Sequence, residues 1–234
     1  MLRGRGGGVP DSLDGVTAAD LDAPAPASST RSAPVARISH ASLRHNAVRL
    51  ALPEGTLVGL PADAYGHGFA EVSRTLAHAG LAVADAEVES PHSEALLGLV
   101  PGFRPVMRLS GSVLSVKPLR AGEGVSYGYT HRAPRDTSVA LVVGGYAQGI
   151  VRSLGNRVSV AIAGDRHPII GRVAMDVCVV DVGAAPILPR AEVVFFGEPA
   201  AGEPSLAEWV EATGLTAREL ATAVGLRAAR EHLL

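Results

Sequence analysis

The stretch TLVGLPADAYGHGFAEVSRTLAHAGLAVA, residues 56–84, sets the fold class of the first half of the chain. Thr56-Leu57-Val58-Gly59-Leu60 is an apolar run of strand length, and the polar, glycine-bearing residues Asp63 to Gly68 read as a loop. Phe69 to Ala77 spaces its apolar residues as an amphipathic helix does, and Gly80 supplies a C-terminal stop. Leu81 to Ala84 is a second apolar run. Strand, loop, helix, strand opens a parallel α/β fold, because parallel strands need a crossover between them. Upstream, Ser39 is placed to cap a helix running through Leu43, Asn46, Val48 and Leu50. Downstream, a helix is expected from Ser90 to Leu99, bounded by Pro101-Gly102.

From about Val106 the pattern changes to short β-rich runs separated by turns. They are Val113 to Val116, Ser138 to Val143, Val158 to Ile162, Ile169-Ile170, Val177 to Val182 and Val193 to Phe196. Gly164-Asp165 falls between two of them and suits a hairpin. This half reads as a mainly antiparallel β domain, closed by helical segments near Leu206 to Val210 and Ala217 to Val224. The fold class expected is therefore α/β plus β. Residues 1–34, rich in Gly, Pro, Ala, Ser and Thr, read as a disordered tail. Residues 35–105 form the α/β part and residues 106–234 the β domain.

Composition excludes several functions. A chain of 234 residues can bury a real core, but with aromatics at 4% that core is built from small side chains. A net charge of −2, with both signs scattered, favours neither nucleic acid nor an anionic membrane as partner. No run has the length of a membrane span or a signal peptide, and the single Cys178 excludes an intrachain disulfide, so a cytoplasmic setting is expected. The eight histidines show no metal-ligand spacing, and no Gly-x-Ser-x-Gly elbow is present.

Five short strings carry a more specific signal. They are Ser42-Leu43-Arg44-His45-Asn46 with Ala62 to Gly68, Ala121 to Gly128, Gly145-Tyr146-Ala147 with Gly149, Arg152 with Leu154-Gly155-Asn156-Arg157, and Gly171-Arg172-Val173-Ala174-Met175-Asp176. In this order and spacing the chain resembles the alanine racemase family over most of residues 37 to 227. The resemblance implies pyridoxal phosphate as cofactor and a two-fold dimer in which each site joins the barrel of one chain to the β domain of the other. It also implies two bases on opposite faces of the cofactor, an anchoring lysine and a tyrosine lent by the partner chain. By position Tyr127 matches that tyrosine, and Tyr65 a tyrosine at the cofactor phosphate. Met175 matches a residue whose backbone helps bind the substrate carboxylate, and Tyr146, Arg152 and Arg172 match residues lining the substrate's way in. Gly66 and Gly68 also suit a tight turn, and His67 a satisfied turn histidine.

Three departures qualify the resemblance. Pro61 stands where the family has its lysine, and a proline cannot form a Schiff base. Arg218 stands about where the family has another phosphate-side tyrosine. Only residues 35–109 precede the β domain, whereas a complete (β/α)₈ barrel needs ~250 residues, so an incomplete barrel fragment is expected. The sole lysine, Lys117, reads as a solvated charge at a strand end. Three readings follow: a truncated racemase-like protein without activity of its own, a non-catalytic partner that docks on a full-length racemase and lends Tyr127, or a pyridoxal-phosphate-dependent racemase converting L-alanine to D-alanine. A barrel with too few strands leaves edges exposed. It must pack on the β domain, pair with another chain or lose order, with the stable core in residues 110 to 227.

Overall fold

Ser39 ends one element and starts the next. In the computed structural model, which describes residues 33–85 and 90–234, Val35–Ser39 is a strand (β1) and His40–Leu50 a helix (α1). The Ser39 hydroxyl accepts a hydrogen bond from the Ser42 N–H at 3.1 Å, the cap expected from the sequence. Next come β2 (Leu57–Gly59), α2 (Pro61–Tyr65), α3 (Phe69–His78) and β3 (Ala82–Ala84). β2 and β3 pair in parallel, Val58 opposite Val83, with α3 as the crossover. The helix expected from Ser90 to Leu99 shortens to one turn, α4 (Ser93–Leu96). Gly98 stops it at φ 67°, packed so closely that a Cβ would lie 2.0 Å from the Arg104 carbonyl oxygen. The expected tail, residues 1–34, lies outside the described residues except at its last two.

α2 departs from the loop expected between Asp63 and Gly68. Ala62, Asp63, Ala64 and Tyr65 all lie at φ between 49° and 56°, a left-handed turn of L-residues. Such a conformation costs about 1–2 kcal/mol per residue. Several contacts offset that cost. The Gly66 and Gly68 N–H groups donate to the carbonyls of Ala62 and Asp63 at 2.9 and 3.0 Å. One Asp63 carboxylate oxygen accepts from the Phe69 N–H at 2.7 Å and so caps α3. The Arg230 guanidinium donates to the other at 2.6 Å and to the Gly66 carbonyl at 3.0 Å.

The β-rich half closes on itself. Its strands are β4 (Met107–Leu119), β5 (Gly124–Val125), β6 (His131–Arg132), β7 (Thr137–Val143), β8 (Ser159–Ile162), β9 (Asp165–Ile170), β10 (Val177–Asp181) and β11 (Glu192–Phe196). Neighbours run β11-β8-β9-β10-β7-β4, and β11 pairs back on β4, giving a six-stranded barrel in which every pairing is antiparallel. The long β4 makes closure possible. Its first half pairs with β11, Ser112 opposite Glu192, and beyond an irregularity at Val113–Ser115 its second half pairs with β7. The β8–β9 hairpin turns one residue earlier than expected, through Ala163 (φ 53°) and Gly164 (φ 91°), the two positive-φ positions a tight hairpin needs. β5 and β6 form a small separate ribbon.

Two helices with Ser and Thr capping boxes follow, α5 (Leu206–Thr213) after Ser205 and α6 (Ala217–Gly225) after Thr216, and β12 (Ala229–Leu233) completes the fold. β1 lies between β4, antiparallel, and β12, parallel. The sequence reading missed β1 and β12. An ion-pair network of Arg37, Arg108, Glu192 and Glu203 links β1, β4 and β11 beside the trio. Its arginines hold the Glu192 carboxyl down to about 2.

The two halves share one core. A single buried cluster runs from Leu43, Leu60 and Leu76 through Val113 and Val142 to Phe195 and Trp209. The backbone of α6 is gripped from both halves. A Cβ on Gly225 would fall 2.0 Å from the Gly66 carbonyl oxygen, and one on Gly149 would fall 2.3 Å from that of Ala223. Of the three outcomes open to the short α/β part, packing on the β domain is the one found.

Candidate functional site

One surface of the β domain gathers five of the residues singled out from the sequence. Tyr127 begins a single 3₁₀ turn (Tyr127–Tyr129) after β5 and is 70% exposed. Ser126 positions it: at φ 59°, its hydroxyl donates to the Arg172 carbonyl at 2.6 Å. The Arg172 guanidinium lies over Gly128, 3.6 Å from where a Cβ would be. Next to Arg172 in sequence, the Ala174 and Met175 carbonyls accept from the Tyr146 and Ala147 N–H groups, both at 2.9 Å. This docking requires glycine at 145, since a Cβ would fall 2.2 Å from the Met175 carbonyl oxygen. Arg152 stacks on the Tyr146 ring, 4.8 Å from guanidinium carbon to centroid. Met175 is 54% exposed beside them.

Arg152 and Arg172 also share a cleft of about 520 Å³ with Arg157, Asn156 and Thr130. Asn156 is a positioning residue not singled out beforehand, although its string was. At φ 63°, it accepts from the Gly171 N–H at 2.7 Å and donates to the Thr130 hydroxyl at 3.2 Å, joining the two segments that carry Tyr127 and Arg172.

Tyr65 and Pro61 lie elsewhere. They line a cleft of about 470 Å³ together with Arg218, Thr222 and Arg227, and none of Tyr127, Tyr146, Arg152, Arg172 or Met175 is among its walls. Tyr65 itself is buried. Under this cleft His67 is fully buried, with Nδ1 2.8 Å from the Ala64 carbonyl and 3.2 Å from that of Tyr65. The expected satisfied turn histidine is half satisfied, because its Nε2 has no hydrogen-bond partner among the described residues. Burial pushes its pKa down to about 4, so the ring is neutral at pH 7. Asp63 keeps its charge: burial works to raise its pKa, but the Phe69 N–H and Arg230 together hold it below the usual carboxylate value. Lys117 is exposed on β4 opposite Val139 and borders neither cleft. Cys178 is buried, its thiol pushed up to about 12.

The site thus sits on an antiparallel β barrel joined to a strand–helix–strand segment, with tyrosines and arginines on one face. The fold superposes on a crystal structure of alanine racemase from a D-cycloserine-producing Streptomyces lavendulae with a TM-score of 0.75, over 88% of this chain and 98% of that one, at 21% identity. Residues 106–232 match the family described as alanine racemase, C-terminal domain, and the chain belongs to that family. Among curated relatives, the alanine racemase of Thermobifida fusca is 41% identical over 133 residues, 57% of this chain and 36% of that protein. The alanine racemase of Mycobacterium tuberculosis H37Rv is 43% identical, also over 133 residues. The chain thus matches about a third of the length of these relatives.

Proposed function

We propose that this chain is an alanine-racemase-like protein without racemase activity of its own. Pro61 carries the reading. Inverting an amino acid needs a base on each face of the reacting carbon, and the family resemblance assigns one face to a lysine at position 61. At that place the cleft presents a pyrrolidine ring, with arginines 218 and 227 as its cations and no amine. A covalently held pyridoxal phosphate does not fit such walls. We read residues 35–105 as an incomplete (β/α) barrel, for which β2, α3 and β3 supply a single parallel crossover. The opposing base of the family, at Tyr127, remains.

The test uses purified full-length protein mixed with pyridoxal phosphate and reduced with borohydride. The expected result is no covalent adduct by mass and no D-alanine formed from L-alanine. D-Alanine formation overturns the reading, and so does an adduct that disappears in Lys117→Ala. Pro61→Lys alone is expected to yield no D-alanine, since among the described residues β2, α3 and β3 supply only one crossover of the barrel that would carry the rest of the cofactor cup.

A second reading is favoured by the exposure of Tyr127, which stands on a complete β domain. In it the chain docks on a full-length racemase and lends Tyr127 in trans, as the shared-site dimer of the family implies. Co-elution with such a racemase, and loss of the activity gained on mixing in Tyr127→Phe, are the expected results. Absence of co-elution rejects this reading. We place the protein in the cytoplasm, with no role for nucleic acid or membrane; among the described residues no helix is long and apolar enough to cross a membrane.

A further inference from the structure

A row of four side chains outside both clefts joins the last strand to the first helices. His40 opens α1 and is buried. Its Nδ1 lies 2.5 Å from the Thr75 hydroxyl on α3, and its Nε2 lies 2.9 Å from Nδ1 of His232 on β12. On the far side of His232, Nε2 is 3.7 Å from a carboxylate oxygen of Glu71, also on α3. The two rings stand 5.2 Å apart, tilted by 47°. The His232 ring rests on Gly68, where a Cβ would approach it to 2.9 Å.

We infer that His40 and His232 form a proton-gated clasp that holds the C-terminal strand against α1 and α3, closed while the two facing nitrogens share one proton and open when each carries its own. At 2.9 Å, one proton between two imidazole nitrogens makes a hydrogen bond, and two protons there repel. In the neutral pair the Thr75 hydroxyl donates to His40, His40 donates to His232, and the second His232 N–H points at Glu71. A first added proton is tolerated, because both outer nitrogens then carry a hydrogen facing an oxygen, that of Thr75 or Glu71. A second must occupy the gap between the rings. The surroundings act in the same direction. Burial, Arg44 on α1, Arg74 on α3 and Arg230 on β12 disfavour added charge, while Glu71 and, at the turn, Asp63 favour it. The pair therefore titrates as one unit in two separated steps.

The strand is built to respond. Among the described residues β12 pairs only with β1, and besides His232 its side-chain ties include Arg230 to Asp63 and to the Gly66 carbonyl, and Glu231 to Arg37. Such a strand belongs to the low-stability end of a fold.

Amide hydrogen exchange of the full chain, followed from about pH 7 to about pH 4.5 across the histidine range, tests the clasp. After correction for intrinsic rates, β12 amides are expected to lose at least about tenfold more protection on the second protonation than β7 and β10 amides lose over the same range. His40→Gln keeps a donor toward His232 and takes up no proton, so it should abolish the acid-induced loss. His40→Leu should leave β12 weakly protected throughout. Histidine Cε1 resonances should show two separated steps for the pair. Identical β12 profiles in the native chain and His40→Gln would overturn the inference. So would independent single titrations of the two rings at the ordinary histidine value.

Discussion

Each of the six barrel strands finds partners among the other five, whereas β2 and β3, among the described residues, pair only with each other. The barrel needs nothing outside itself to satisfy its edges. The strand–helix–strand segment depends on the β domain through α6, the Gly66–Gly225 contact and the Arg230 clamp on the left-handed turn. The family match covers the β domain, residues 106–232, which is a self-sufficient unit, whereas the segment before it is a dependent one. A short parallel strand–helix–strand segment is covered here by packing on the neighbouring β domain.

That contrast can be broken from either side. Phe195→Ala strikes the shared core at a fully buried ring and should cost about 4 kcal/mol, lowering the urea midpoint for every probe at once. Separate transitions would show that the halves do not share a core. Gly225→Ala forces a methyl onto the Gly66 carbonyl and should cost about 3 kcal/mol, with exchange protection falling first in α3 and β3. Unchanged stability there would mean that the dependent half does not need this contact.

Acid offers a third test. His67 binds its proton less readily in the fold, at about 4, than in the unfolded chain, at 6.5. The unfolded state therefore takes up more protons as pH falls. Stability from this residue is complete above pH 6.5 and is lost progressively down to about pH 4, amounting to about 3 kcal/mol. A denaturation series over this range should show the slope, and His67→Gln should flatten it. The smallest effect is expected at the joint itself, where Ser39→Ala removes the α1 cap and costs about 1 kcal/mol. Thermal melts that leave the barrel's own signals in place would confine the effect to the dependent half.

Most barrel strands were legible as apolar, β-branched runs ended by turn chemistry, as Val177 to Val182 and Val193 to Phe196 show, whereas β4 was read only at Val113 to Val116 and β9 only at Ile169-Ile170. β1 and β12 were not. Val35-Ala36-Arg37-Ile38 carries too little periodicity to declare a strand, and its partner lies at the other end of the chain. The left-handed turn at Ala62 to Tyr65 was hidden for another reason. No local propensity favours it, and beside its own hydrogen bonds it is held by Arg230 and by contact with Gly225, both remote in sequence. At the candidate site, Tyr127, Tyr146, Arg152, Arg172 and Met175 were visible as motif residues and do meet on one surface. That Tyr65 and Pro61 line a different cleft follows from the packing of α6, which the strings do not encode.

The pairing of β1 with β12 sets an order of events in time. On the ribosome β1 emerges before β4 to β11, and its parallel partner β12 follows them, at roughly 5–20 residues per second. The strands from β4 to β11 can close their barrel during that interval, and β1 can already lie against β4. The last strand, arriving on the outer side of β1, then completes the sheet and brings Arg230 to the turn below. Contacts of such long sequence separation are slow to form. The left-handed turn thus acquires its Arg230 clamp only when the C-terminal strand has been made.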